Sequence, residues 1–316
     1  LIYRREMRRC LLLCLLLAAR TAAADDPKFE YGKHDDIKDV KGVEWMAAAE
    51  AGLVLTTGNS ETTTASGGLH VSRKAGDNKF TFDGSAAYAK SALRVINDMN
   101  GNGTIDNASE IQTVSSVTAE TLASKLRYDR FLTDFNSVYI AALASRDVPA
   151  GKQSVFGGQV GYSRRLFKSP TAETVAEIGY DFSREDPVVG PTISIDSARA
   201  FIGHKAVMTE GAQLDAALEF LTNLNTEHLT TTDDQGRPVD GGIFKDTRVN
   251  AKIAITAKVG LNLAVQMSME LKFDNRPGPL PIKNLAMNYQ PEAAAFDSIM
   301  KASFIYTFVG AKPAKK

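Results

Sequence analysis

The residues with the clearest chemical spacing lie in DMNGNGTIDNASE, at positions 98–110. Asp98, Asn100 and Asn102 alternate, Gly103 follows, and Asp106 comes three residues later. Calcium takes hard oxygen ligands, and a loop of this pattern can turn three side-chain oxygens inward. The carbonyl of Thr104 supplies a fourth oxygen, Gly103 permits the sharp turn, and Asp106 binds directly or through water. The closing glutamate of such a loop is expected at Ser109 but falls at Glu110, a slip of one residue that weakens the site. The plainer alternative is a polar loop rich in turn residues. The choice depends on the elements that carry it.

Other reactive side chains are sparse. The histidines are His34, His70, His204 and His228. Only His228, beside Glu227 and Thr230, begins a polar connecting stretch, where a rim-active lipid hydrolase would need its base. No serine carries a nucleophile motif, and no phosphate-cradling glycine loop or metal-spaced histidine cluster occurs. Glu173, Glu177 and Asp181 could do acid–base work. At alternate positions of one strand they read more simply as lining for a polar interior, balanced by Arg248, Lys252 and Lys258. Catalytic and organic-cofactor sites are therefore both expected to be absent, with calcium the sole candidate ligand.

Composition narrows the class. Formal net charge is +0, which argues against a general nucleic-acid binder. Mean hydropathy is −0.16, too low for a bundle of membrane helices. The two cysteines are Cys10 and Cys14, so thiol catalysis and disulfides are not expected in the body of the chain. Met7-Arg8-Arg9, the apolar run Cys10–Ala19 and Ala22-Ala23-Ala24 read as the basic, apolar and cleavage regions of a signal peptide over residues 1–24, with Met7 as its start. Its removal takes away five arginines and one glutamate, leaving a mildly acidic product. Residues 25–42 are charged, lack an apolar period and read as a solvated lead.

From Val43 the chain alternates. Leu261, Leu263, Val265, Met267, Met269, Leu271 and Phe273 interleave with Asn262, Ala264, Gln266, Ser268, Glu270 and Lys272. Side chains alternate faces along a strand, so this is a strand with one apolar and one polar face. About twelve such segments are expected, near 44–57, 60–74, 79–95, 111–129, 132–147, 153–168, 172–184, 193–209, 211–227, 243–258, 260–274 and 294–308. Those near 132–147 and 193–209 change phase partway, as a bulge would make them. Tight connections (74–78, 128–134, 168–173, 208–213, 258–262) alternate with others that are mostly longer and polar (96–110, 147–153, 184–192, 228–242, 275–293).

Strands of soluble proteins average about five or six residues, and these are long enough to cross a bilayer at a tilt. Hydrocarbon leaves backbone polar groups no partner, so membrane strands must close into a barrel. The expected fold is an all-β, antiparallel transmembrane β-barrel over residues 43–308, with short turns at one end and longer loops at the other. A soluble β-sandwich or ligand-binding barrel is the alternative. Tyr128, Tyr162, Phe182, Phe273, Phe304 and Tyr306 suit interfacial girdles. A calcium loop between two strands is then no helix–loop–helix hand, though its ligand chemistry still holds.

KASFIYTF, at Lys301–Phe308, sets Phe304, Tyr306 and Phe308 on one face and resembles the closing-strand signal read by the bacterial barrel-assembly machinery. Ser303 stands where that signal usually has glycine, and the basic tail 309–316 continues past it. GLVLTTGNSETTTASGGLHVSRK, at Gly52–Lys74, resembles the opening hairpin of the putative salt-induced outer membrane protein family. The matching core is Thr56-Thr57-Gly58-Asn59-Ser60 and Thr62, Thr63 and Thr64, also explained locally as a tight turn beside β-prone threonines. The resemblance implies an outer-membrane barrel of a Gram-negative bacterium, with outer-membrane lipid and lipopolysaccharide as surroundings and no established reaction. The expected role is a structural or pore-like envelope protein with a polar lumen, linked to osmotic or salt adaptation. A rim-active enzyme and a calcium-ordered receptor or adhesin are the alternatives. The sequence leaves the oligomeric state open.

Overall fold

A computed structural model of the chain describes residues 43–56, 61–96, 111–188, 190–226, 242–277 and 294–309. The signal-peptide segment 1–24, the lead 25–42 and residues 310–316 of the tail lie outside the described residues. Twelve strands follow one another: β1 (Val43–Thr56), β2 (Glu61–Ala75), β3 (Asn78–Ile96), β4 (Ile111–Phe131), β5 (Asn136–Asp147), β6 (Lys152–Lys168), β7 (Ala172–Pro187), β8 (Ile193–Thr209), β9 (Ala212–Asn223), β10 (Thr247–Lys258), β11 (Leu263–Asp274) and β12 (Phe296–Val309). Each strand pairs with its sequence neighbours, and β1 with β12, so the sheet closes as an antiparallel barrel. No helix among the described residues is long and apolar enough to cross a membrane.

The walls are inverted relative to a soluble protein. Ile178 is 65% exposed on the outside, while its neighbour Glu177 is 2% exposed on the inside. Leu126, Ile140, Val160, Ile253 and Met267 repeat the outward pattern around the barrel. Lys125, Arg127, Asp129, Arg199, Glu219 and Asn250 repeat the inward one. An apolar belt on every side exceeds what water tolerates, and hydrocarbon removes the cost. Exposed aromatics stand toward both ends, with Trp45, Phe80 and Tyr306 at one and Phe156, Phe182 and Phe273 at the other. This is a transmembrane β-barrel.

The expected strand bounds hold within a few residues, and the larger departures have local causes. β5 starts at Asn136 because the backbone N–H groups of Leu132 and Thr133 turn onto the Asn136 carbonyl. β9 stops at Asn223, whose side-chain amide donates to the carbonyls of Asn225 and Gly242 and accepts from the Asp246 N–H. The connection between β5 and β6, expected to be long, is a tight 148–151 turn with Gly151 at φ 80°. β5 alternates through Ala142, and its ladder to β6 shifts register between Ser145 and Asp147, as the expected irregularity near 132–147 requires. β8 likewise carries a register shift, between Val207 and Thr209 near its end.

The β3–β4 hairpin outgrows its neighbours. β4 has 21 residues, but its ladder to β5 begins only at Thr121↔Asp147. Ile111–Val117 pair with β3 alone, Thr118 is skipped at a bulge, and all eight residues are exposed on both faces. This ribbon ends at Ile96 and Ile111, which flank the calcium candidate.

Candidate functional site in the barrel interior

One side of the lumen is filled. On β4, Lys125, Arg127 and Asp129 share the inward phase and are 0–2% exposed. Arg127 forks twice. It grips Asp129 through Nε (2.9 Å to Oδ2) and Nη2 (2.7 Å to Oδ1). It grips Glu177 of β7 through Nη1 (3.2 Å) and Nη2 (2.8 Å). Arg199 of β8 donates to Glu177 (2.9 Å), to Glu219 of β9 (2.7 Å) and to the Tyr139 hydroxyl of β5 (2.8 Å). Asn250 of β10 donates to the other oxygen of Glu219 at 3.0 Å. The planar guanidinium suits such bidentate pairing, and mutual pairing offsets the desolvation of each ion.

Small residues make the filling possible. Gly161 and Gly179 face one another across β6 and β7. A Cβ on Gly161 would sit 2.6 Å from the Tyr139 hydroxyl, and one on Gly179 would sit 2.9 Å from it. Two missing side chains thus let the Tyr139 ring lie against the wall. Arg127 then rests 3.9 Å from the ring centroid, where a cation is attracted to the π face.

A second cluster sits toward the long-loop end. Arg248 of β10 donates to Glu185 of β7 (2.5 Å) and to Asp246 (3.0 Å), and lies 3.5 Å from Asp274 of β11. Lys152 of β6 adds a contact to Glu185 at 3.4 Å. Burial pushes the Asp246 carboxyl, just before β10, above its ordinary range, against the pull of Arg248. Near the tight turns, Arg165 and Glu173 pair at 2.7 Å.

The opposite side is hollow. A cavity of about 350 Å³ lies between β1–β3 and β8–β12. Its wall is built from Ala48, Ser85, Ala217, Ala254 and Ala264, with Met46 and Ile305. Its polar groups carry both signs, from Glu50, Asp83 and Asp215 to Lys205 and Lys252, with His70, Gln213 and Gln266. Asp83 on this side is the ladder partner of Lys125 on the other, so cavity and network flank each other. The volume falls in the range of small-ligand pockets.

The predicted residues distribute unevenly. Glu173, Glu177 and Asp181 stand together on β7 as read, but their partners differ from the expected Arg248, Lys252 and Lys258. Glu173 takes Arg165, Glu177 takes Arg127 and Arg199, and Asp181 accepts from Gln159 at 2.7 Å. Barrel register, which a single strand does not display, sets these pairs. His70 lies on β2 with its Nδ1 bonded to Asp83, and His204 lies on β8 with Nδ1 2.9 Å from the Thr174 hydroxyl. His34 and His228 lie outside the described residues, as do Asp98, Asn100, Asn102, Thr104, Asp106 and Glu110. Among the described residues no cluster of three or more His, Cys, Asp or Glu side chains could hold a metal. Sequence reasoning missed Arg127, Arg199 and Tyr139. The charged inward phase of β4 and β8 is a legible signal for the arginines, whereas an aromatic such as Tyr139 gives no sequence signal for the lumen face.

No curated protein matches the chain by sequence. Among solved structures it is similar to the NanC porin, at 9% identity, TM-score 0.42, and 83% of this chain against 98% of that one. It is also similar to an outer membrane channel from Pseudomonas putida F1, at 11% identity and TM-score 0.41, covering 90% and 99%. The translocator domain of the autotransporter NalP from Neisseria meningitidis gives 13% identity and TM-score 0.37, covering 97% and 96%. At such identities and scores the likeness carries no activity to this chain. Residues 49–237 match a family described as protein of unknown function, DUF481, and the chain belongs to that family.

Proposed function

We propose that the protein is an outer-membrane barrel of a Gram-negative envelope that passes ions and very small polar solutes along the hollow side of its lumen. The observation behind this reading is the division of the interior: buried, mutually paired charged residues occupy one side, while small residues leave a polar cavity of about 350 Å³ on the other. Such a lumen suits narrow, weakly selective passage, because the cavity wall carries both signs of charge. It does not suit the broad aqueous channel of larger porins.

Planar-bilayer recording of the purified, full chain tests the proposal. Small, discrete current steps for potassium and chloride are expected. A silent bilayer across a wide voltage range, with protein whose unheated gel band shows a folded barrel, would leave only the structural role. Membrane lipid and lipopolysaccharide are the proposed surroundings, and the barrel-assembly machinery the proposed route of insertion. Osmotic or salt adaptation rests on the resemblance of Gly52–Lys74 alone; expression that does not respond to salt would remove it. Calcium binding at Asp98, Asn100, Asn102, Thr104, Asp106 and Glu110 is proposed on spacing, with protease sensitivity of 96–110 with and without calcium as its test.

A further inference from the structure

The barrel wall is not closed equally along its height. Every seam but one is paired along most of the shorter strand; β10 and β11, for instance, are registered from Arg248↔Asp274 to Lys258↔Ala264. The seam between the first and last strands is the exception. Among the described residues, β1 and β12 pair only from Ala47↔Val309 to Ala51↔Phe304, with a register shift between Ala47 and Ala48. Continuing that register would set Gly52 against Ser303 and Leu53 against Ala302, but no partner pairs form there. The long-loop half of the seam is therefore held without a backbone ladder, although Gly52–Thr56 remain paired to β2 and Phe296–Ser303 to β11.

Side chains hold it instead. Lys301 of β12 bonds Glu50 of β1 from the lumen side, and the Ser303 hydroxyl lies 3.4 Å from the same carboxylate. Glu50 reaches that position because Gly68 has no side chain: a Cβ there would lie 2.6 Å from Glu50 Cγ. The contact stands where the ladder stops, and the cavity lies directly behind it. Glu50 lines that cavity, together with Ala48 and Ala49 of β1 and Ile305 and Thr307 of β12.

We infer that the upper β1–β12 seam is a lateral portal, latched by Glu50 and Lys301, through which a small uncharged amphiphile moves between the bilayer and the lumen cavity. Three features fix the ligand class. The portal opens onto hydrocarbon, so the ligand must partition into lipid. The cavity volume admits one small molecule. Its wall offers the amides of Gln213 and Gln266 and the hydroxyls of Ser85, Thr256 and Thr307, which match a polar end, and passage through hydrocarbon requires that end to be uncharged. Small residues at the portal (Gly52, Ala302, Ser303) leave little bulk to displace. The portal rests on the transmembrane reading but not on ion conduction, so a silent bilayer leaves it standing.

The test uses the full chain in phosphatidylcholine vesicles, with Cys10 and Cys14 replaced by alanine and Ala217→Cys as a reporter on the far cavity wall. The probe is N-dodecylmaleimide, delivered in the lipid. Labelling is expected to rise several-fold in Lys301→Met. It is expected to be lost when Leu53→Cys and Ala302→Cys are added and oxidised across the seam before labelling. Labelling indifferent to both changes would overturn the portal. So would a Leu53→Cys or Ala302→Cys cross-link between two chains, which would show the edges covered by a second copy. If Lys301→Met fails to fold, the oxidised pair alone decides: labelling that persists behind a closed seam contradicts the inference.

Discussion

The two sides of the lumen use the same strand geometry to opposite ends. On β4, β7 and β8 the inward phase carries Arg127, Glu177 and Arg199, whose long side chains meet in the interior and are buried. On β1, β9 and β10 the same phase carries Ala48, Ala217 and Ala254, whose short side chains stop at the wall. Strand number and tilt set the diameter, but side-chain volume at inward positions decides whether that diameter is open. The comparison also separates stability from function. The filled side braces β4, β5, β7, β8, β9 and β10 through shared carboxylates, and the hollow side leaves room for a guest.

The difference can be broken at its strongest point first. Glu177→Ala leaves two buried arginines without their shared carboxylate, a loss of about 3–5 kcal/mol for a buried pair. Urea unfolding followed by the mobility of unheated protein should show it as the largest destabilisation. An unchanged midpoint would mean that water already reaches the network. Gly161→Ala acts through shape. Its Cβ would meet the Ile178 carbonyl at 2.5 Å and the Tyr139 hydroxyl at 2.6 Å, so the ring must move, at about 1–3 kcal/mol. Adding Tyr139→Phe, which removes only the hydroxyl, should recover part of that loss.

Ala217→Leu sharpens the contrast from the hollow side. It should fold with a stability change below about 1.5 kcal/mol, because a cavity receives the added volume. It should also lower the single-channel current. The smallest effect is expected at Asp246. Burial raises its carboxyl in the folded barrel, so the folded state favours the proton. That stabilisation is present at low pH and lost as pH rises through the raised value, leaving a cost at neutral pH. Asp246→Asn should therefore be slightly more stable than the native chain near neutrality, with the advantage fading as pH falls into the ordinary carboxylate range.

The wall was legible in the sequence, because a half-buried strand must alternate and a barrel repeats the pattern in every strand. Leu263–Asp274 and Thr247–Lys258 show it directly. The interior was legible only as a face. Glu177 could be placed on the polar side of β7, but its partners come from β4 and β8, 50 and 22 residues away. Register and curvature bring them together, and neither is written in one strand. Apolar residues on the lumen side misled in the same way. Tyr139 and Phe201 break the alternation because they pack against arginines, with Arg127 3.9 Å from one ring and Arg199 4.9 Å from the other.

Water access to the two sides tests the account most directly. The comparison places one cysteine on each, Ala217→Cys on the hollow wall and Ser163→Cys on the filled one, where Ser163 is 0% exposed. Cys10 and Cys14 are replaced, and the folded barrel in vesicles is treated with a small, charged methanethiosulfonate. The predicted result is rapid labelling of Ala217→Cys and labelling of Ser163→Cys only after unfolding. Equal, rapid labelling at both positions would mean an open lumen, and a folded barrel that protects both would mean a solid one; either result contradicts the half-filled interior.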